Sequence, residues 1–108
     1  MSWTIETTTD GKMSASFEGH LDGKDGSASA RKFVEVLGSD VRDVVLNVRK
    51  MSSYDKEARQ AWQEGLWPQR KQIRSIHVIG ANTLIRMGAI LIGVFLGART
   101  SFSDDGDL

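Results

Sequence analysis

The chain has 108 residues, of which 40% are apolar and 26% charged. That suits one compact domain and excludes a disordered tail. Lys and Arg number 14 against 14 Asp and Glu, so the basic excess of a nucleic-acid-binding domain is missing. Residues 41–99 are locally basic, with ten Lys/Arg against four Asp/Glu, a bias that a solvated helix face accounts for. The lack of cysteine excludes disulfides and thiolate chemistry, and it fits a reducing cytoplasm. The opening stretch MSWTIETTTDGK has no basic start and no apolar run, so no signal peptide is expected.

Trp3 to Thr8 and Met13 to Glu18 alternate weakly on either side of Asp10-Gly11, which predicts an antiparallel hairpin. Leu21 to Gly26, LDGKDG, reads as a loop broken by glycine. Ser27 to Leu37 reads as a helix. Ala30, Phe33, Val34 and Leu37 fall at i, i+3, i+4 and i+7, Asp25 or Ser27 caps its start, and Gly38 ends it. Asp43 to Val48 is a strand whose continuous VVL predicts cover on both faces. A polar loop follows, and then a helix over Asp55 to Leu66. Its inward stripe is Ala58, Ala61, Trp62, Gly65 and Leu66, and Pro68 ends it.

Ile73 to Ile79 alternates as a strand. Asn82 caps a third helix, Thr83 to Leu96, which Gly97 stops. That helix is apolar nearly all round, with Arg86 its only charge. The run from Met87 to Ala98 has twelve residues, whereas a bilayer span needs about 20. No integral membrane segment is therefore expected. Burial inside the domain is the simplest use for its outer face; self-association as a homodimer through Leu91, Val94 and Phe95 is another, and docking on a membrane surface a lesser one. Trp67, beside Pro68, reads as a contact anchor or a cap on the sheet edge. Arg99 to Phe102 forms a last strand. The organisation is one domain over residues 1–103 with a short acidic tail at 104–108. The order β-β-α-β-α-β-α-β predicts an α/β fold: a mixed, mainly parallel sheet covered by helices.

Few residues carry chemistry. His77 lies mid-strand and reads as a hydrogen-bonded sheet residue. His20 precedes the LDGKDG loop, whose Asp22 and Asp25 lack calcium-loop spacing. No nucleophile–His–acid order, phosphate loop or metal-ligand spacing is visible. The expectation is no enzyme, no cofactor and no metal.

The stretch VVLNVRKMSSYDKEA, set in this order of elements, resembles the STAS domain of bacterial anti-sigma factor antagonists and sulphate-transporter tails. There, a strand ending near Asn47 leads into a turn at the start of the next helix, and Asp55 stands at the turn's acid. The family's two serines and glycine are replaced by Lys56, Glu57 and Ala58, so Glu57 occupies the place of the phosphorylated serine. The resemblance implies a non-catalytic regulatory module that binds a protein, of anti-sigma factor or kinase-like regulator type. The implied contact residues are Arg49, Lys50, Ser52, Ser53, Tyr54, Asp55, Lys56, Glu57 and Arg59. A carrier or sensor of a lipid or nucleotide on the same fold is the alternative. Ser52 and Ser53 are read as caps of the helix, phosphate acceptance being the other use, and Tyr54 as a partner anchor or a hydrophobic staple.

Overall fold

A computed structural model describes residues 2–7 and 11–104. Asp10 of the expected turn and residues 105–108 of the acidic tail lie outside them. The elements are β1 (Ser2–Thr7), β2 (Lys12–Leu21), α1 (Gly23–Val36), β3 (Asp43–Tyr54), α2 (Lys56–Leu66), a 3₁₀ turn (Trp67–Gln69), β4 (Ser75–Ile79), α3 (Thr83–Leu96) and β5 (Arg99–Ser103). The five strands lie in the order β1-β2-β3-β4-β5. β1 is antiparallel to β2, and every later pair is parallel.

That order never reverses. Parallel crossovers share one hand, so successive crossovers in one direction stack their helices on one face of the sheet. Burial follows suit. Val44, Leu46 and Val48 of β3 are buried, while Asp43, Val45 and Asn47 between them are partly exposed. The expectation that β3 is covered on both faces is thus corrected: helices cover one face, and Val45 looks out from the other. His77 sits on that open face, as a hydrogen-bonded sheet residue. Its Nδ1 is 2.7 Å from Ser101 Oγ and its Nε2 3.0 Å from Ser103 Oγ.

α2 lies between α1 and α3 and carries the centre of the core. The Trp62 ring meets Phe17 edge-on at 5.7 Å and Phe33 at 5.1 Å. Its Nε1–H donates to the buried Ser29 Oγ at 3.0 Å, and Ser29 in turn donates to the Gly26 carbonyl at 3.1 Å. α1 starts at Gly23, four residues before the expected Ser27. Asp22 caps it, accepting from Asp25 N–H at 2.8 Å. Gly26 is not a break but a contact: a Cβ there would stand 2.5 Å from Ala58 Cα.

At the starting ends of β3 and β4, Arg74 Nε and Nη2 grip the Asp43 carboxylate at 3.1 and 3.2 Å, and Ser75 Oγ donates to it at 2.5 Å. The Arg74 hydrogen bonds, followed by that of Ser75, hold the Asp43 carboxyl below its ordinary range.

Two stability predictions follow from these contacts. Gly26→Ala is expected to destabilise the fold by about 1–3 kcal/mol through overpacking, although the same change in an exposed helix favours the helix by about 1 kcal/mol; denaturant unfolding checks the sign. Asp43→Asn is expected to weaken the fold at neutral pH. A carboxylate that is more acidic folded than unfolded stabilises above its unfolded value, about 3.9, and the contribution is lost as pH falls toward the folded value. The gap between wild type and variant should therefore close in acid, and a gap constant from pH 7 to pH 3 would assign it to another cause.

Candidate functional site

β3 outruns β4. Asp43 to Asn47 pair with the whole of β4, whereas Lys50 to Tyr54 pair with β2 alone. The segment expected as a polar loop, Arg49 to Tyr54, is therefore the overhanging end of the strand. The register against β2 shifts twice, between Ser16 and Glu18 and between Gly19 and His20. The first shift breaks the alternation, leaving Arg49 and Lys50 both exposed. The second makes Ser52 the extra residue and sets Ser53 opposite His20.

Ser53 and Asp55 then close on the two sides of the His20 ring. Ser53 Oγ is 2.6 Å from Nδ1, and Asp55 Oδ1 is 2.9 Å from Nε2. The His20 and Asp55 side chains are 47% and 45% exposed. This chain of polar groups can orient a serine hydroxyl and an acid at the protein surface. It was not visible in the sequence, because His20 and Asp55 stand 35 positions apart and only the parallel β2–β3 pairing joins them.

The same arrangement corrects the reading of Ser52 and Ser53 as caps. Ser53 is held by His20, and the Ser52 carbonyl accepts from Asn82 Nδ2 at 3.2 Å. Asp55 takes the N-cap position of α2 without a side-chain cap hydrogen bond. By contrast, Asn82 caps α3 as expected, accepting from Ile85 N–H at 2.9 Å. The other expected contact residues divide. Lys56 and Glu57 are exposed on the first turn of α2. Lys50 pairs with Glu18 at 3.6 Å across exposed surface. Arg49 lies along Gly80, and Arg59 donates to Gln63 Oε1 at 3.3 Å. Tyr54 is partly buried and lies on α3 at Gly88, where a Cβ would come within 2.7 Å of its ring.

Between the sheet, α2 and α3 lies an apolar cavity of about 60 Å³, lined by residues including Leu46, Met51, Tyr54, Trp62, Ile85 and Ile92. The outer face of α3 is bare. Leu84, Met87, Ile90, Leu91, Val94 and Phe95 are all exposed, Val94 by 75%. Trp67 is exposed too and stacks on Phe95 at 4.9 Å, with the Arg70 guanidinium 3.9 Å from its ring. Burial of this face inside the domain, the simplest expectation, is overturned: α3 covers the β4–β5 side of the sheet, and no further helix follows it among the described residues. Among those residues no helix is long and apolar enough to cross a membrane, and no His, Asp and Glu cluster is placed to hold a metal ion.

Comparison with family models returns no match. Neither does comparison with curated proteins. Solved structures do match. An uncharacterised protein of the DUF3478 family from Shewanella loihica PV-4, described as having a SpoIIAA-like fold, superposes with a TM-score of 0.69 at 14% identity, over 96% of this chain and 85% of that one. The chain has a SpoIIAA-like, STAS-type fold. The anti-sigma factor antagonist SpoIIAA in its unphosphorylated form superposes with a TM-score of 0.56 at 13% identity, over 94% of this chain and 88% of that one. The resemblance read from the strand–turn–helix stretch thus holds at the level of fold.

Proposed function

We propose that this SpoIIAA-like chain is a non-catalytic regulatory module that recognises a protein partner at the β3–α2 rim. The observation that carries this reading is the half-exposed Ser53–His20–Asp55 chain, set on an overhanging strand beside a helix whose N-cap side chain is turned away. The rim offers alternating donors, acceptors and charges, and such surfaces give register and selectivity more than raw affinity. A catalytic serine relay depends on a water-excluded site with oxyanion donors. Here the histidine and acid are half in water, and neither lines the α2–α3 cavity. Glu57 supplies a constant negative charge where a switchable serine would stand, about one unit against ~1.5–2 for phosphoserine. A cytoplasmic regulator of anti-sigma factor or kinase-like type is the partner class that the fold suggests.

Affinity capture with wild type and with His20→Ala, Asp55→Ala and Arg59→Glu tests this. Each variant is expected to fold, since exposed ion pairs contribute about 1 kcal/mol or less. Each should lower partner recovery roughly tenfold, the effect of about 1.4 kcal/mol. Equal recovery by all three would remove the rim as the contact surface.

The apolar cavity supports a second reading, a carrier of an apolar small molecule. Its lining favours an acyl chain over a nucleotide. Its volume matches only about two waters at ~30 Å³ each, so a ligand would have to lift α3 off Tyr54. A saturating medium-chain fatty acid should then raise the melting temperature by mass action, with no response to nucleotides. No shift with either class would leave the protein-binding reading alone.

A further inference from the structure

The outer surface of the helix layer holds two features that the rim reading does not use. One is the bare face of α3. Met87, Leu91 and Val94 form a row at i, i+4 and i+7, all exposed, with Phe95 and Trp67 beside them. The other is an open groove of about 660 Å³ between α1 and α2. Its floor is made of small residues, among them Ala30, Ala61 and Gly65, and its sides carry Glu35, Glu57 and Glu64 against Arg31. Lys32 pairs with Glu35 at 3.8 Å. Glu57 and Glu64 have no ion-pair partner among the described residues.

The two features complement each other in shape and charge. A row of large apolar side chains on one helix fits a groove floored by small residues between two others, which is ridge-into-groove packing. Residues 65–103, which include α3 and its surroundings, contain five Lys/Arg and no Asp/Glu. Arg70 lies against Trp67, and Arg86 of α3 lies 4.4 Å from the Phe102 ring. Arg70 and Arg86 thus flank the ridge with positive charge, and Glu35, Glu57 and Glu64 flank the groove with negative charge.

We infer that a second copy of this chain covers α3: the α3 ridge of one copy seats in the α1–α2 groove of the other, and a two-fold axis returns the same contact. Both surfaces lie on the side of the helices away from the sheet, so one face-to-face arrangement closes both contacts at once. Two-fold closure of this kind is the commonest form of soluble oligomer. A lipid surface would cover the ridge but would leave the acidic groove without a partner. The inference shares only Glu57 with the rim, so its failure leaves the rim reading standing, and the reverse.

The test is the oligomeric state of the full chain by sedimentation equilibrium. Wild type is expected to be a dimer at about 100 μM, within reach of the micromolar affinities that interfaces of this kind show. Two variants break opposite halves. Val94→Asp spoils the ridge, and Ala61→Arg with Glu64→Lys fills the groove and reverses its charge. Each alone should be monomeric at that concentration, with association weakened at least about a hundredfold. An equal mixture should associate as a heterodimer, more tightly than either variant alone and more weakly than wild type, because the intact ridge of one variant meets the intact groove of the other and restores one of the two contacts. Val94 and Glu64 are exposed, and circular dichroism checks that both variants fold. Monomeric wild type overturns the inference. So does a groove variant that still dimerises, which would mean that α3 pairs with α3, or a mixture that associates no better than either variant alone. Binding of monomeric wild type to anionic phosphatidylglycerol vesicles, lost in Val94→Asp, would give the ridge to a lipid surface instead.

Discussion

The strand order without a reversal is the constraint from which the other features descend. Doubly wound sheets reverse their order and place helices on both faces, with ligands in the crevice at the reversal. Here three crossovers run the same way, so three helices share one face and no such crevice is built. The consequence is a molecule with two unlike sides. One is an open sheet face, where His77, Ser101 and Ser103 bond to one another. The other is a helix layer, whose outer surface has to be managed by sequence alone. What remains for specific recognition is the rim where strands end and the outer surface of the helices.

The helix layer is held unevenly. α1 and α2 are locked by the Gly26–Ala58 approach and by the Trp62–Ser29 hydrogen bond. Small residues make that close packing possible, and the same small residues leave the groove above it. α3 is held through Tyr54 against Gly88 and through the cap bonds of Asn82 and Gly97. Its glycines cost helix stability, about 1 kcal/mol each relative to alanine, and the contacts they allow offset that. The tight side of α3 therefore faces the sheet. Its outward side is left with large apolar residues and one charge, a composition that water alone does not explain.

The sequence showed the elements wherever local chemistry decides them. α3 begins at Asn82 and ends at Gly97, at φ 72°, because capping and left-handed backbone depend on a few adjacent residues. It misled wherever tertiary contact decides. Gly23 and Gly26 look like breakers and are helical, since Glu57 stands close against the first and Ala58 against the second. VVL looks doubly buried, yet Val45 faces out, because a run of three cannot report that every crossover lies on one side. Arg49 and Lys50 look like the end of a strand, but a register shift interrupts the alternation while the strand continues. The candidate site was half legible. Asp55 and Ser53 are marked by their place at a strand–helix junction. Their shared partner His20 is not, since no local pattern links a residue of β2 to the end of β3.

Glu57 is where the two proposed surfaces meet. It sits on the first turn of α2, next to Asp55, and it also lines the α1–α2 groove. An acid at that position is favourable to the helix by itself, opposite the positive end of its dipole. On the readings above it also faces a partner at the rim and a cation-flanked ridge at the groove. Two ligands that use one side chain cannot both have it on the same terms. A partner that engages Glu57 would weaken pairing of the chain, and by linkage pairing would weaken that partner by the same factor. A fixed glutamate would then do by competition between neighbours what a phosphorylatable serine does by gaining and losing charge.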